Sequence, residues 1–588
     1  MTQHADVEKA AEPLDPSSRP GSPTKEEKTS PSTELELETR DAMIAPAPST
    51  AAKGGLAAGA DGQASNVLTS SDIINNNDDD DGDDEQAAGP RPWYRRFWQS
   101  EVPRSFYREA LARYGGEGGL DAADDARIRR RLDLIILPLI AVCYAWYYID
   151  KTTLSYAAIF GLKADLALTG DMYAWLSSCF YLGWLVWAVP ANLLLQKSPV
   201  GKFLGINIVL WGAFLMAQGG VRSFAALVAL RTISGAVESI ADPCFLVLIA
   251  MFYRNDEQPL RIAAFYFANG VGFSAGGLIG YGIGQIDAPI ASWRLIFLLV
   301  GAACLLWGLV IIAFCPDHPA TFVGLCRDDR LRAVARVRDN QSGIATRRFK
   351  PDQAREAVLD HRTFLYLAIA FVSNAPNGIL SNFGTLIVRG LDFSTLNTTL
   401  LQIPYGAIVV FWIGSAVWLN QRLPGQTRLL LSAAYMLPTI AGALGLLFAP
   451  QSSQVGRLWC YYLTSSFQAP YVLYLSIITS SVGGHTKRIL TISASFIGFT
   501  IGNIAGPFFM HDDEAPHYRS GIVGILVCNV LEATFFLLLR ASLVRSNREK
   551  EEQLRRMRDD GIDVVVQRDQ TAQMDVTDRQ NPYFRYSY

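Results

Sequence analysis

From Leu132 to about Arg540 the chain alternates long apolar runs with short polar breaks. A helix needs about 20 mostly apolar residues to cross a bilayer. Twelve runs meet that need, at roughly 132–150, 172–194, 203–221, 224–252, 261–285, 293–315, 363–387, 397–419, 428–449, 457–481, 489–510 and 520–540. Backbone in lipid must satisfy its own hydrogen bonds, so a chain with this many runs is expected to be an all-α membrane protein.

The polar segments give the layout. Residues 1–92 are rich in Ser, Pro, Ala and acid, and Asn75 to Glu85 reads NNNDDDDGDDE without any hydrophobic period. Such a segment is expected to be a disordered tail. Residues 93–131 form a juxtamembrane segment. It opens on WYRRFW, a mixture suited to a membrane surface, and closes on Arg127, Arg129, Arg130 and Arg131. The opening MTQHADVEKAAEPLDPSS has no apolar core of a signal peptide, so the first span is expected to act as its own insertion signal.

A break at 316–362, with ten Lys or Arg, divides the runs into an N-terminal half (132–315) and a C-terminal half (363–540), followed by a tail at 541–588. The breaks after the second, fourth, eighth and tenth spans carry Lys197 and Lys202, Arg254, Arg422, and Lys487 and Arg488. Breaks of the other parity are poorer in cations, and the last, 510–518, is acidic. This bias places both termini and the middle loop in the cytoplasm. Gln196, Lys197 and Pro199 recur as Gln421, Arg422 and Pro424, each 225 residues on (421 − 196), at the same place in each half. Twelve transmembrane helices in two six-helix halves form the major facilitator layout.

Composition narrows the chemistry. The chain is 50% hydrophobic and 18% charged, against about 25% charged in ordinary globular domains. Most of its eight cysteines lie in or beside apolar runs, where a thiol packs. No CxxC, Cys/His cluster, nucleophile elbow or phosphate loop is present, so the sequence implies no metal, no cofactor, no nucleic acid and no enzyme activity. The glycine-rich fifth span, from Gly270 to Gly284, lacks a following Lys-Ser/Thr and suits close helix packing.

Charges inside spans are costly and mark function. The fourth span, LRTISGAVESIADPC, holds Arg231, Glu238 and Asp242. Spaced seven and four apart, all three are expected to share one helical face that lines the cavity between the halves. Arg231 suits an anionic substrate and Glu238 a coupling proton, with a structural ion pair as the alternative. Asp242 precedes Pro243 and can instead accept freed backbone donors. Asp150 and Lys151 close the first span, either at the cavity or as an interfacial pair. Glu532, in the twelfth span, reads as structural. In the seventh span Asn374, Asn377 and Asn382 are polar groups in an apolar helix that Pro376 is expected to break, freeing carbonyls toward a cavity or protein partners, and the eleventh carries Asn503 beside Gly506-Pro507 in a comparable setting. Gln402 and Gln468 add hydrogen-bonding groups. Lys197, Lys202 and Arg422 are candidate gating-loop cations.

The region from about Arg127 to Arg540 resembles the anion:cation symporter family of fungal major facilitators, in its allantoate permease branch. The resemblance rests on DKTTLSYA (Asp150–Ala157), YAWLSSCFYLGWLVWAVPANLLLQ, LRTISGAVESIADP, EQPLRIAAFYFANGVG and GGHTKRILTISASFIGFTIGNIAGP. It implies proton-coupled uptake, at the plasma membrane, of a small organic anion or related nutrient such as allantoate, ureidosuccinate or a vitamin, by a monomer. It places Asp150, Lys151, Arg231, Glu238, Asp242, Asn377, Lys487 and Asn503 on matching positions. The loop QKSPVGK departs from the family by lacking its usual gating acid. An efflux antiporter and a nutrient-sensing receptor of the same fold are the alternatives. The fifth span lacks the Gly-Pro pair common in antiporters of the superfamily, and only the acidic N-terminus points to a receptor.

Overall fold

A computed structural model describes residues 104–114, 121–254, 257–322, 324–337, 350–423, 426–560 and 575–588. The 1–92 tail, the WYRRFW motif and Pro424 lie outside the described residues.

Every apolar run is helical. Eleven helices among the described residues are long and apolar enough to cross a membrane. The first, Ala122–Asp165, contains a π-turn, Ala158–Leu162, where Gly161 takes φ 101°, a conformation glycine adopts at little steric cost. The others are Met172–Leu195, Val200–Gln218, Phe224–Phe252, Leu260–Gly284 and Ser292–Phe314 in the N-terminal half. The C-terminal half contributes His361–Arg389, Thr395–Arg422, Arg428–Phe448, His485–Phe509 and Arg519–Asp559. The tenth predicted span is two shorter helices, Gln454–Thr464 and Gln468–Ser480, joined by a 3₁₀ turn at Ser465–Phe467. Neither piece crosses a membrane alone. Together they cover about 40 Å, and the count of twelve spans is complete.

The fourth span is broken in the matching way. Its pieces are Phe224–Glu238 and Ala241–Phe252, with Ser239 closing the first. Ser465 closes the corresponding piece of the tenth span, 226 residues on (465 − 239). Pro243 and Pro470 each stand at the third position of the second piece, where a missing N–H breaks no intrahelical bond. The spacing recurs in buried charge. Arg261, opening the fifth span, bonds Asp133 in the first at 2.8 Å. Lys487, opening the eleventh, bonds Asp360 beside the seventh at 2.9 Å. The two bases lie 226 apart (487 − 261) and the two acids 227 apart (360 − 133).

The halves meet along several helix pairs, two of which show the closeness of the contact. The fifth span crosses the eighth so closely that a Cβ added at Gly270 would lie 2.4 Å from the Gly406 carbonyl. The second meets the eleventh, with Trp184 packed against Phe499 at 5.8 Å between ring centroids.

One end of the bundle, here the near end, carries the described terminal segments and the middle loop. There each half is followed by a segment that folds back onto it. After the first half, Arg336 bonds Asp125 at 2.8 Å and also Glu257, while Asp329 accepts from Arg127 and Arg131, each at 2.8 Å. After the second half, residues 575–588 place Asp578 against Lys487 at 2.8 Å, and Tyr586 donates to Asp578 at 2.8 Å. Lys487 thereby meets three carboxylates, those of Glu356, Asp360 and Asp578. Burial alone would raise the Asp360 carboxyl. The Lys487 ammonium, the Arg362 amide and Arg579 outweigh it and hold the group below the usual carboxylate range.

Lys487→Met leaves those carboxylates without their shared cation and should cost about 3–5 kcal/mol, read as a lower melting temperature of the purified chain. An unchanged melting temperature would contradict the clamp. A depressed carboxyl stabilises above its unfolded pKa, so this contribution should fade as pH falls below about 4 and through the group's own lower value.

Candidate functional site

The end of the first span supplies the two central charges. Asp150 is 1% exposed. Its Oδ2 accepts from Trp211 Nε1 of the third span at 2.9 Å, and its Oδ1 lies 3.8 Å from an Arg231 guanidinium nitrogen. That separation is too long for a hydrogen bond, and Oδ1 has no hydrogen-bond partner. Arg231, 3% exposed, lies over the Phe180 ring at 5.3 Å. Lys151 Nζ lies 4.2 Å from the Tyr147 ring centre and 5.1 Å from that of Tyr148, so its ammonium rests on aromatic faces.

A cavity is lined by Asp150, Lys151, Ser177, Phe180, Tyr181 and Arg231 from the N-terminal half and Asn382 from the other. It leaves about 10 Å³ for the centre of a water molecule, which is room for one water. The cation-and-acid centre is therefore closed around a volume too small for an organic substrate.

Glu238 does not line this cavity. It lines a second one, behind Trp211, with Cys143, Tyr147, Leu204 and Asn207. Glu238 is 3% exposed and neither carboxylate oxygen has a hydrogen-bond partner. Trp211 borders this cavity and donates to Asp150, so one indole adjoins the surroundings of both acids. Of the charged face expected for Arg231, Glu238 and Asp242, Arg231 and Glu238 keep their spacing of seven within the first piece of the fourth span, and only Asp242 falls beyond its break. The fourth span breaks at Ser239–Ile240, so the spacing of four between Glu238 and Asp242 does not run along one helix. Asp242 lines neither cavity.

The C-terminal half contributes amides. Asn377 Nδ2 donates to Asn503 Oδ1 at 2.9 Å, and Asn503 Nδ2 to Asn374 Oδ1 at 3.3 Å. Gln402 Oε1 accepts from Tyr461 at 3.3 Å. Gln468 Oε1 accepts from Asn269 of the fifth span at 2.5 Å, a bond between the halves. These four predicted residues are partnered with one another or with neighbours, and none lines the Asp150 cavity. Lys197, Lys202 and Arg422 lie at the near end, away from it. Lys202 Nζ bonds Asp317 at 3.1 Å, and the Lys202 N–H donates to the same carboxylate at 3.0 Å. Asp317, from the segment after the sixth span, thus stands where QKSPVGK lacks an acid. Lys197 is exposed, and Arg422 lies over Trp418 at 5.3 Å.

Bonds between the halves gather toward the far end. Thr385 donates to the Ser155 carbonyl at 2.8 Å, Tyr173 to the Asn382 carbonyl at 2.8 Å and Ser178 to the Ile504 carbonyl at 2.7 Å. Lys163 pairs with Asp512 at 2.7 Å. The near-end ion pairs described above each stay within one half and its own fold-back segment. Trp211, Phe180 and Tyr181 were not candidates from sequence, because an aromatic in an apolar run carries no mark of its partner.

The Major Facilitator Superfamily model matches residues 140–551. The allantoate permease of Saccharomyces cerevisiae is 29% identical over 81% of this chain and 89% of its own length. An uncharacterized transporter of Schizosaccharomyces pombe is 33% identical over 79% of this chain and 88% of its own. The thiamine pathway transporter of S. cerevisiae is 28% identical over 79% and 86%. Among solved structures, a bacterial homologue of the human lysosomal transporter Spinster superposes with a TM-score of 0.54 at 16% identity, covering 70% of this chain and 97% of that one. A D-xylose–proton symporter gives 0.51 at 13% identity, covering 68% and 96%. A twelve-span fold in two repeated halves and a family match across both of them carry one conclusion: the chain belongs to the major facilitator superfamily, as a multi-pass membrane transporter.

Proposed function

We propose that the protein is a proton-coupled symporter that imports a small organic anion, of the allantoate class, across the plasma membrane with both termini cytoplasmic. The observation that carries this reading is two buried cations, Arg231 and Lys151, beside buried acids whose oxygens are left without hydrogen bonds. Asp150 Oδ1 and both Glu238 oxygens lack hydrogen bonds in a buried interior. Charge left unsatisfied in a low-dielectric site is costly. A proton on an acid and an anion on Arg231 each relieve part of that cost, which couples the two ligands. The similarity to allantoate permease supports the substrate class.

Transport proceeds by alternating access. With the far end open, substrate meets Arg231 and Lys151 and a proton meets Glu238. Neutralising Glu238 favours closure. The halves then re-form the far-end bonds among Ser155, Thr385, Tyr173 and Asn382, and part at the near end. Low proton activity there frees the proton, and the substrate follows.

Glu238→Gln should abolish accumulation driven by a proton gradient while keeping substrate exchange, measured as labelled allantoate uptake and counterflow in proteoliposomes. Normal accumulation would rule out Glu238 as the proton carrier. Arg231→Gln removes a charge-assisted contact worth about 1.5–3 kcal/mol, so kcat/KM should fall about ten- to a hundredfold at normal surface levels. A variant that merely fails to reach the surface would favour a structural ion pair.

A further inference from the structure

The C-terminal half contains a buried cation that the scheme above does not use. Arg457, in the first piece of the tenth span, is 8% exposed. Its Nε is buried without a hydrogen-bond partner, and among the described residues no carboxylate pairs with it. Asp360 and Asp578 are taken up by Lys487 at the near end, and Glu532, buried in the twelfth span, does not reach Arg457 either. Glu532 bonds Ser373 of the seventh span. The neighbours of Arg457 on the tenth span meet the seventh span further along. Tyr461, one turn from it, has its hydroxyl against Gly384, and Gln454, just before it, donates to the Leu391 carbonyl at 2.8 Å. Ser373 and Gly384 are about 16 Å apart along the helix.

The position has a counterpart. Arg231 stands eight residues before Ser239, where the fourth span breaks (239 − 231). Arg457 stands eight residues before Ser465, where the tenth breaks (465 − 457). The repeat thus puts two guanidinium groups at matching depth in matching broken helices, one in each half. Arg231 faces Asp150, while the residue 227 positions after Asp150 is the neutral Asn377 (377 − 150). The C-terminal half keeps the cation of the pair without its acid.

We propose that Arg457 is a second anion-binding residue of the transport path, taking a carboxylate or similarly charged end of the substrate on the C-terminal half as Arg231 does on the other. This rests on the organic-anion reading above. A mostly buried arginine whose Nε is unpartnered and which has no internal acid is satisfied by an anion that arrives from outside, and its planar fork suits a carboxylate. A substrate gripped by both halves also gives rocking something to close upon. The class favoured is an elongated anion with an acceptor group at each end.

The test uses the purified full-length chain, with melting followed against rising allantoate, succinate, nicotinate or pantothenate. The wild-type chain should be stabilised by at least one of them. Arg457→Gln should bind that anion about ten- to a hundredfold more weakly at an unchanged unliganded melting temperature. Wild-type affinity in R457Q together with loss in R231Q would overturn the Arg457 assignment and leave the transport reading standing. A wild-type chain stabilised by none of the four would overturn the anion reading and this assignment with it. An independent readout needs no variant: phenylglyoxal modification of Arg457 in the wild-type chain, followed by mass spectrometry, should be suppressed by the bound anion. Equal modification with and without it would overturn the proposal.

Discussion

Arg231, Lys151, Asp150 and Glu238 share an interior that admits little water, and no pairing among them satisfies every charge. Arg231 stands 3.8 Å from Asp150, without a hydrogen bond. Lys151 rests on tyrosine faces. Glu238 is held behind Trp211 with two unpartnered oxygens. A fold that sought stability alone would pair these groups or replace them with apolar side chains, which is often neutral or favourable. An interior kept short of balance responds instead to the arrival of an anion or a proton.

The remainder of the fold holds that interior while letting its surroundings move. The fourth and tenth spans are each broken after a serine, 226 residues apart, so both halves turn the same kind of joint toward the centre. Near-end charges tie each half to its own trailing segment, through Arg336 in one case and Lys487 in the other. The halves can therefore move as bodies. The bonds that join them toward the far end are hydroxyl-to-carbonyl contacts and one partly exposed ion pair, Lys163–Asp512. Exposed pairs are individually weak, about 0–1 kcal/mol, and interfaces built from them can open.

Span number and the two-half layout were legible because length and hydropathy report directly on a bilayer. The tenth span shows where that signal stops. Its apolar run is continuous, and nothing in SSFQAP separates a 3₁₀ turn from a helix that merely contains proline. The same blindness misplaced Asp242, whose spacing from Glu238 suits a helix that the fold breaks. Asp150, Lys151 and Arg231 could be found as charges in apolar runs, and the cavity gathers them. Asn382 stood out as an amide near Pro376, and the cavity includes it. Trp211 and Asp317 could not be found, because their roles depend on partners 61 and 115 residues away. The clamp of Asp578 on Lys487 was likewise hidden, since a polar tail residue does not announce its destination.

The central claim is that anion and proton move together. The most direct measurement follows lumenal pH in proteoliposomes while a downhill allantoate gradient, with no imposed proton gradient, drives uptake. Coupled movement predicts acidification of the lumen in step with substrate entry, abolished when allantoate is omitted. Substrate entry at full rate with no change in lumenal pH would contradict it.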